Sequence, residues 1–166
     1  FALGLLIPIV IIFMRENLNT RVRGRKDLEN LTIPFIGEIP LFTRKKKGIL
    51  GKKPQEVKAV IVKEGNRDII NEAFRVLRTN LEFMTGKDKT SNVIIMTSFN
   101  PGSGKSFLTM NIAVSLAIKG KKVLVIDGDL RHASASSYID SPDKGLSDYL
   151  GGRIDNLDEI IVPDPK

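Results

Sequence analysis

Cysteine is absent from this chain of 166 residues. That absence removes disulfide frameworks, zinc knuckles and thiol catalysis together, and it suits a reducing compartment. Histidine occurs once, as His132, and tyrosine twice, as Tyr138 and Tyr149. A single histidine reads as a structural or solvent-exposed residue, and neither tyrosine is expected to be a principal functional group. No internal repeat is visible, and the length allows one modest domain plus an appendage rather than two full domains. The chain opens on Phe1 inside an apolar run and stops at Pro165-Lys166, so it reads as a piece of a longer protein.

Residues 1–14, FALGLLIPIVIIFM, lack any charged or strongly polar side chain. Spanning a bilayer takes roughly 20 apolar residues, so this run falls short by about a turn or two. A core helix would show a polar face, and none is present. A secretory leader would carry its basic residues ahead of the apolar run and a small-residue cleavage site behind it. Here Arg15, Arg21, Arg23, Arg25 and Lys26 all follow. The expectation is the C-terminal part of a transmembrane helix, with Pro8 tolerated by neighbouring helices and the basic residues holding its end in the cytoplasm.

The net charge is +7, and its placement is informative. Residues 15–53 hold eleven Lys or Arg against four Asp or Glu, an excess of seven, whereas from Pro54 onward fifteen of each sign balance. A nucleic-acid binder carries its basic surface on the folded domain, so no nucleic-acid partner is expected. The placement fits a membrane protein whose following domain is cytoplasmic, with anionic lipid as a partner of the basic stretch. Residues 15–66 are read as that basic juxtamembrane linker, broken by Gly24, Pro34, Gly37, Pro40, Gly48, Gly51 and Pro54. For the run Arg44-Lys45-Lys46-Lys47 two readings stay open, a solvated loop and a lipid contact.

Residues 67–166 read as the beginning of an α/β domain. Over 67–85, Ile69, Ile70, Ala73, Phe74, Leu77, Leu81 and Met84 recur at three and four spacing, leaving Glu72, Arg75 and Arg78 on the other side of a helix. A polar turn at 87–91 precedes Val93-Ile94-Ile95-Met96, a short apolar run of the kind buried on both faces of a parallel sheet. A second helix is expected over 106–119 with Gly120 as its cap, then a second buried strand at Val123-Leu124-Val125-Ile126. Strand, helix and strand within about 35 residues make a βαβ unit with a right-handed crossover.

Between the first strand and its helix stands Ser98-Phe99-Asn100-Pro101-Gly102-Ser103-Gly104-Lys105-Ser106. Phosphate binding calls for consecutive backbone N–H groups wrapped around oxygens and leading into a helix N-terminus. Gly102 and Gly104 permit that geometry, with Pro101, Ser103 and Phe107 completing the cradle. Lys105 brings a positive charge to the β- and γ-phosphates, and the Ser106 hydroxyl reaches Mg²⁺. The usual pattern has glycine where this chain has Phe99. The second strand ends in Asp127-Gly128-Asp129-Leu130-Arg131, and in open α/β sheets ligands lie beyond the carboxyl ends of the strands. Asp127 and Asp129 there suit Mg²⁺ binding and the orientation or deprotonation of an attacking hydroxyl.

Together these stretches resemble the bacterial tyrosine kinases of the polysaccharide co-polymerase, or capsular exopolysaccharide, family. Asp127-Gly128-Asp129-Leu130-Arg131 is similar to that family's A-prime motif, and 101–106 to its Walker A loop, where a missing leading glycine is ordinary. Glu72-Ala73-Phe74-Arg75-Val76-Leu77-Arg78 matches its Glu-x-x-Arg-x-x-Arg oligomerisation motif. Gly145-Leu146-Ser147-Asp148-Tyr149-Leu150 and the linker stretch Ile36-Gly37-Glu38-Ile39-Pro40 have the same look. The resemblance covers most of the chain.

It implies a P-loop NTPase-type parallel sheet with flanking helices, incomplete in this stretch, and a membrane-anchored, ATP-dependent protein-tyrosine autokinase acting in capsule or exopolysaccharide polymerisation and export. Lys105, Asp127 and Asp129 would be catalytic. Residues 101–107 would hold ATP, and Ser106, Asp127 and Asp129 would hold Mg²⁺. Glu72, Arg75 and Arg78 would join subunits into a homo-oligomeric ring, although from spacing alone a solvated face with i,i+3 ion pairs is equally open. Implied partners are the polysaccharide export machinery and a cognate tyrosine phosphatase. The family's Walker B strand and tyrosine-rich tail do not occur in these residues, so the stretch alone is not expected to be a competent kinase. Two alternatives stand beside this reading. One is a MinD/ParA-like ATPase, whose signature lysine would occupy the position of Asn100; the other is a co-polymerase scaffold in which ATP binding only gates assembly.

Overall fold

A computed structural model describes residues 2–18, 22, 24–28, 31–41, 59–86, 93–131, 134–139 and 141–163. The basic run Arg44-Lys45-Lys46-Lys47, the polar turn at 87–91 and His132 lie outside the described residues. The chain divides into two compact units, Phe1–Phe35 and Ile36–Lys166.

The first unit is built on helix α1, Ala2–Asn17, which has Pro8 inside it. The helix runs three residues past the apolar stretch and closes with the Asn17 amide donating to the Phe13 carbonyl at 3.0 Å. From Leu6 to Met14 the large apolar side chains are each at least 44% exposed. No helix among the described residues is long and apolar enough to cross a membrane. A single 3₁₀ turn, Arg25–Leu28, follows.

In the second unit two helices carry the core. Helix α2 spans Ile69–Thr85. It starts two residues later than the periodicity alone suggests because Asp68 is its N-cap, with extended backbone and a carboxylate accepting the Asn71 amide at 2.7 Å. That amide bond, with the Asn71 side chain next in weight, holds the Asp68 carboxyl below its ordinary pKa. Helix α3 spans Lys105–Ile118. Its end is a Schellman motif: Gly120 N–H donates to Ala117 O at 2.8 Å and Lys121 N–H to Leu116 O at 3.2 Å. Gly120 lies one position beyond the cap with φ 79°, the left-handed geometry that favours glycine there.

Phe74 and Leu77 of α2 meet Ile112 of α3 and Val62 in one buried cluster, with Ile36, Ile39, Ile61, Ile70, Leu81, Met96 and Phe107 packed around it. Phe74 and Phe107 stand edge to face, ring centroids 6.1 Å apart. Two stretches that the sequence reading assigns to the linker, at 36–39 and 61–62, are thus part of this core. Asn80 secures the first of them by donating to the Ile36 carbonyl at 2.7 Å.

The sequence reading differs from the structure in two further places. The expected strands at 93–96 and 123–126 are not paired into a ladder, and the described residues contain no strand or bridge. Val93 is 92% exposed and Ile95 85%, with Leu124 and Ile126 also on the surface. A strand is buried on both faces only when neighbours and helices cover it. Among the described residues only Met96 of these two runs packs on the core cluster. The second difference is Arg78, which the periodicity puts on the polar face of α2 and which the structure buries to 8% exposure.

Candidate functional site

The loop 99–104 is shaped by its own polar atoms. Ser103 donates its hydroxyl to the Asn100 carbonyl at 2.6 Å, and Ser98 does so at 3.2 Å. Gly102 and Gly104 have φ of 74° and 87°, so both turn the chain through backbone space that a side chain disfavours. Gly104 is the N-cap of α3 and carries no side-chain cap. The first-turn amides of a helix without a side-chain cap are the groups that meet an anion. Lys105 opens α3 and Ser106 is its second residue, both partly buried, and Thr109 returns its hydroxyl to the Lys105 carbonyl at 2.9 Å. Phe107 is held by its ring contact with Phe74. Phe99, where the common loop pattern has glycine, is fully exposed.

Asp127 does something its motif does not announce. Its Oδ1 accepts the Asp129 amide at 3.1 Å. Its Oδ2 accepts the amides of Ala135 and Ser136, at 2.9 and 3.1 Å, and the Ser136 hydroxyl at 3.3 Å. One carboxylate therefore anchors the entrance to the 3₁₀ turn Ser136–Tyr138. A carboxylate offers about four lone-pair sites, so on Oδ1 about one is left for another ligand. Asp129 accepts the Arg131 amide at 3.3 Å. Among the described residues no group of three or more His, Cys, Asp or Glu could hold a metal by itself. Mg²⁺ bound with nucleotide typically takes one or two protein oxygens and completes its shell with phosphate and water, so this donor set fits that mode.

On α2 the three residues of the arginine motif separate. Glu72 and Arg75 form a partly exposed ion pair at 2.6 Å, and Arg75 also donates to the Asn66 carbonyl at 2.9 Å. Arg78 faces inward and donates to the Ser115 carbonyl at 2.8 Å and its hydroxyl at 3.2 Å. Beyond them the short helix α4, Leu146–Leu150, is capped by Asp148, which accepts the Gly145 amide at 2.9 Å and the Arg153 guanidinium at 2.7 Å. Those two donors, the amide first, hold the Asp148 carboxyl below its usual pKa.

Sequence reasoning missed Asn111, Ser115 and the 134–136 anchor. The cluster Ser134-Ala135-Ser136-Ser137 after an Asp-Gly-Asp carried a signal, since hydroxyl residues next to an acceptor carboxylate mark capped turns.

Residues 94–157 match the CobQ/CobB/MinD/ParA nucleotide binding domain. Tyrosine-protein kinase etk of Escherichia coli K12 is 31% identical over 97% of this chain. Tyrosine-protein kinase wzc of Salmonella typhimurium is 33% identical over 91% of it. A Klebsiella pneumoniae protein assigned as a tyrosine-protein kinase in the cps region is 31% identical over 96%. Over most of its own length the chain is similar to these proteins named as bacterial tyrosine-protein kinases. It spans less than a quarter of their length, 23% of etk and 22% of wzc. The matched domain covers the loop, α3, the Asp127 segment and α4, and that match carries the α/β assignment which the unpaired strand segments do not.

Proposed function

We propose that this chain supplies the phosphate-binding portion of an ATP-dependent protein-tyrosine autokinase of the capsule and exopolysaccharide type. The observation that carries the reading is the 101–106 loop. Two left-handed glycines lead into an uncapped helix start, with Lys105 and Ser106 in its first turn, inside a stretch that matches a nucleotide binding domain. In this reading the loop amides and Lys105 bind the phosphates of ATP. Ser106 with Asp127 and Asp129 would hold Mg²⁺, which neutralises charge on the phosphates when bound. Asp127 or Asp129 orients the tyrosine hydroxyl. Relatives named tyrosine-protein kinases support the reaction class.

The wider reading is a bacterial inner-membrane protein that works with polysaccharide polymerisation and export machinery, is reset by a tyrosine phosphatase, and forms a ring. An exposed apolar helix followed by seven excess positive charges supports the membrane and anionic-lipid part. The exposed Glu72–Arg75 pair is the available contact for a neighbouring subunit. A MinD/ParA-like ATPase is the second reading, favoured by the domain match itself. Against it stands Asn100 at the position of the signature lysine. Phosphotyrosine on the intact gene product, compared between wild type and Lys105→Met, separates the readings. Loss of the modification in the variant is expected. Unmodified tyrosines in an ATP-hydrolysing wild type would favour the ATPase.

A further inference from the structure

Four polar or charged side chains are buried in the described chain: Asn71, Arg78, Asn111 and Ser115, all on α2 or α3. Arg78 is the costly one. A guanidinium with 8% exposure has lost most of its water, and among the described residues no carboxylate pairs with it. Its bonds go to a carbonyl and a hydroxyl of a single residue, Ser115, and its Nε is buried without a partner. A charge placed at such expense has something specific to hold.

What it holds is the C-terminal end of the phosphate-loop helix. The last four carbonyls of a helix have no amide of their own helix to accept. At the end of α3 the Lys119 amide, which would close a full turn on Ser115, donates to Leu116 instead at 3.0 Å. The Ser115 carbonyl is thereby left for another donor, and Arg78 provides it from α2. The negative end of the α3 dipole meets a fixed positive charge, while its positive end is the amides of the 101–106 loop. Four residues before Arg78 on the same face of α2, Phe74 grips Phe107, two residues after Lys105. Helix α2 therefore holds α3 near both ends, with Phe74 at the start and Arg78 at the finish.

We infer that Arg78 is an intramolecular positioning residue for the phosphate loop, and that Glu72 and Arg75 alone form the outward part of the arginine motif. The inference rests on the nucleotide-binding reading above. With Arg78 in place, α3 presents its first-turn amides in one arrangement. Without it, the helix end is released and binding must order what was previously fixed, which weakens the complex.

The test is a fluorescent-nucleotide titration of the intact gene product with Mg²⁺, for wild type, Arg78→Gln, Arg78→Lys and Arg75→Glu, with sedimentation of each. Arg78→Gln is expected to weaken binding about tenfold, as loss of one charge-assisted hydrogen bond implies, with the assembled mass unchanged. Both bonds to Ser115 come from one guanidinium nitrogen, and Arg78→Lys keeps a charged donor on a shorter side chain that reaches it less well, so its dissociation constant should fall between the two. Arg75→Glu should alter assembly and leave nucleotide affinity within about twofold of wild type. Wild-type affinity in Arg78→Gln overturns the inference. If that variant does not fold, wild-type affinity in Arg78→Lys overturns it. A wild type that binds no nucleotide would instead overturn the reading on which the inference rests.

Discussion

Asn111 on α3 holds the main chain of Ile61 from fifty residues away, its Oδ1 accepting the Ile61 amide at 2.7 Å. The same oxygen takes the Val62 amide at 3.1 Å, while its Nδ2 donates to Phe107 O at 2.9 Å and Ala59 O at 3.4 Å. Asn111 is fully buried, so its end of each of these bonds lies away from water, while the Ile61, Ala59 and Phe107 ends are only partly buried. From the other side Asn71 accepts the Lys63 amide at 2.9 Å. Two asparagines thus fasten the 59–63 segment to both helices of the core, doing with side chains what a ladder would do with backbone.

Removing the first of them should be expensive. Asn111→Ala strands the buried Val62 amide and the partly buried Ile61 amide, a buried one costing about 1–3 kcal/mol unpaired, so a loss of about 2 kcal/mol is expected. Urea unfolding of wild type and variant checks it as a shift in midpoint at constant slope. A change under about 0.5 kcal/mol, the range of ordinary surface substitutions, would mean that the segment is not held by Asn111.

For Asp127, anchoring and metal binding can be separated. Asp127→Asn keeps an acceptor oxygen for the Ala135 and Ser136 amides but removes the charge, so these amides should stay protected while Mg²⁺ affinity in the presence of ADP falls. Asp127→Ala should lose both, the amides exchanging faster by an amount equal to a lost cap, about 1 kcal/mol. Amide exchange together with a Mg²⁺ titration reads the two effects. Unchanged exchange in Asp127→Ala would remove the anchoring role.

Acid should release the start of α2. Because the folded pKa of Asp68 lies below its ordinary value, its cap stabilises the folded state above the unfolded pKa and is lost as pH falls through the folded one. Asp68→Asn keeps a good capping residue that does not titrate there. The variant should therefore show a flatter stability profile than wild type on the acid side, measured by thermal unfolding at stepped pH. Parallel profiles would show that the Asp68 charge is not what the cap depends on.

Local chemistry was legible in the sequence, and tertiary placement was not. The periodicity of Phe74, Leu77 and Leu81 gave α2 to within two residues at its start, and α3 was displaced by only one. The two glycines and Lys105-Ser106 marked the loop because backbone geometry and charge are written into residue type. Arg78 was placed on the wrong face because helical spacing cannot tell a solvated arginine from one that caps a neighbouring helix. Its partner, Ser115, is distant in sequence and has no motif. The apolar runs at 93–96 and 123–126 carry the right composition for buried strands, yet pairing belongs to the neighbours and not to the strand itself.

The central claim is that the 101–106 loop binds nucleotide phosphates, and the most direct test is equilibrium titration of MgATP against the intact gene product and its Lys105→Met variant. Lys105 is the one cation in the first turn of α3, and the substitution removes its charge at similar length. The account predicts saturable binding by the wild type and a loss of affinity of about a hundredfold in the variant, the worth of a charge-assisted contact to the γ-phosphate. Equal affinity in the two proteins, or a wild type that does not bind MgATP, would contradict it.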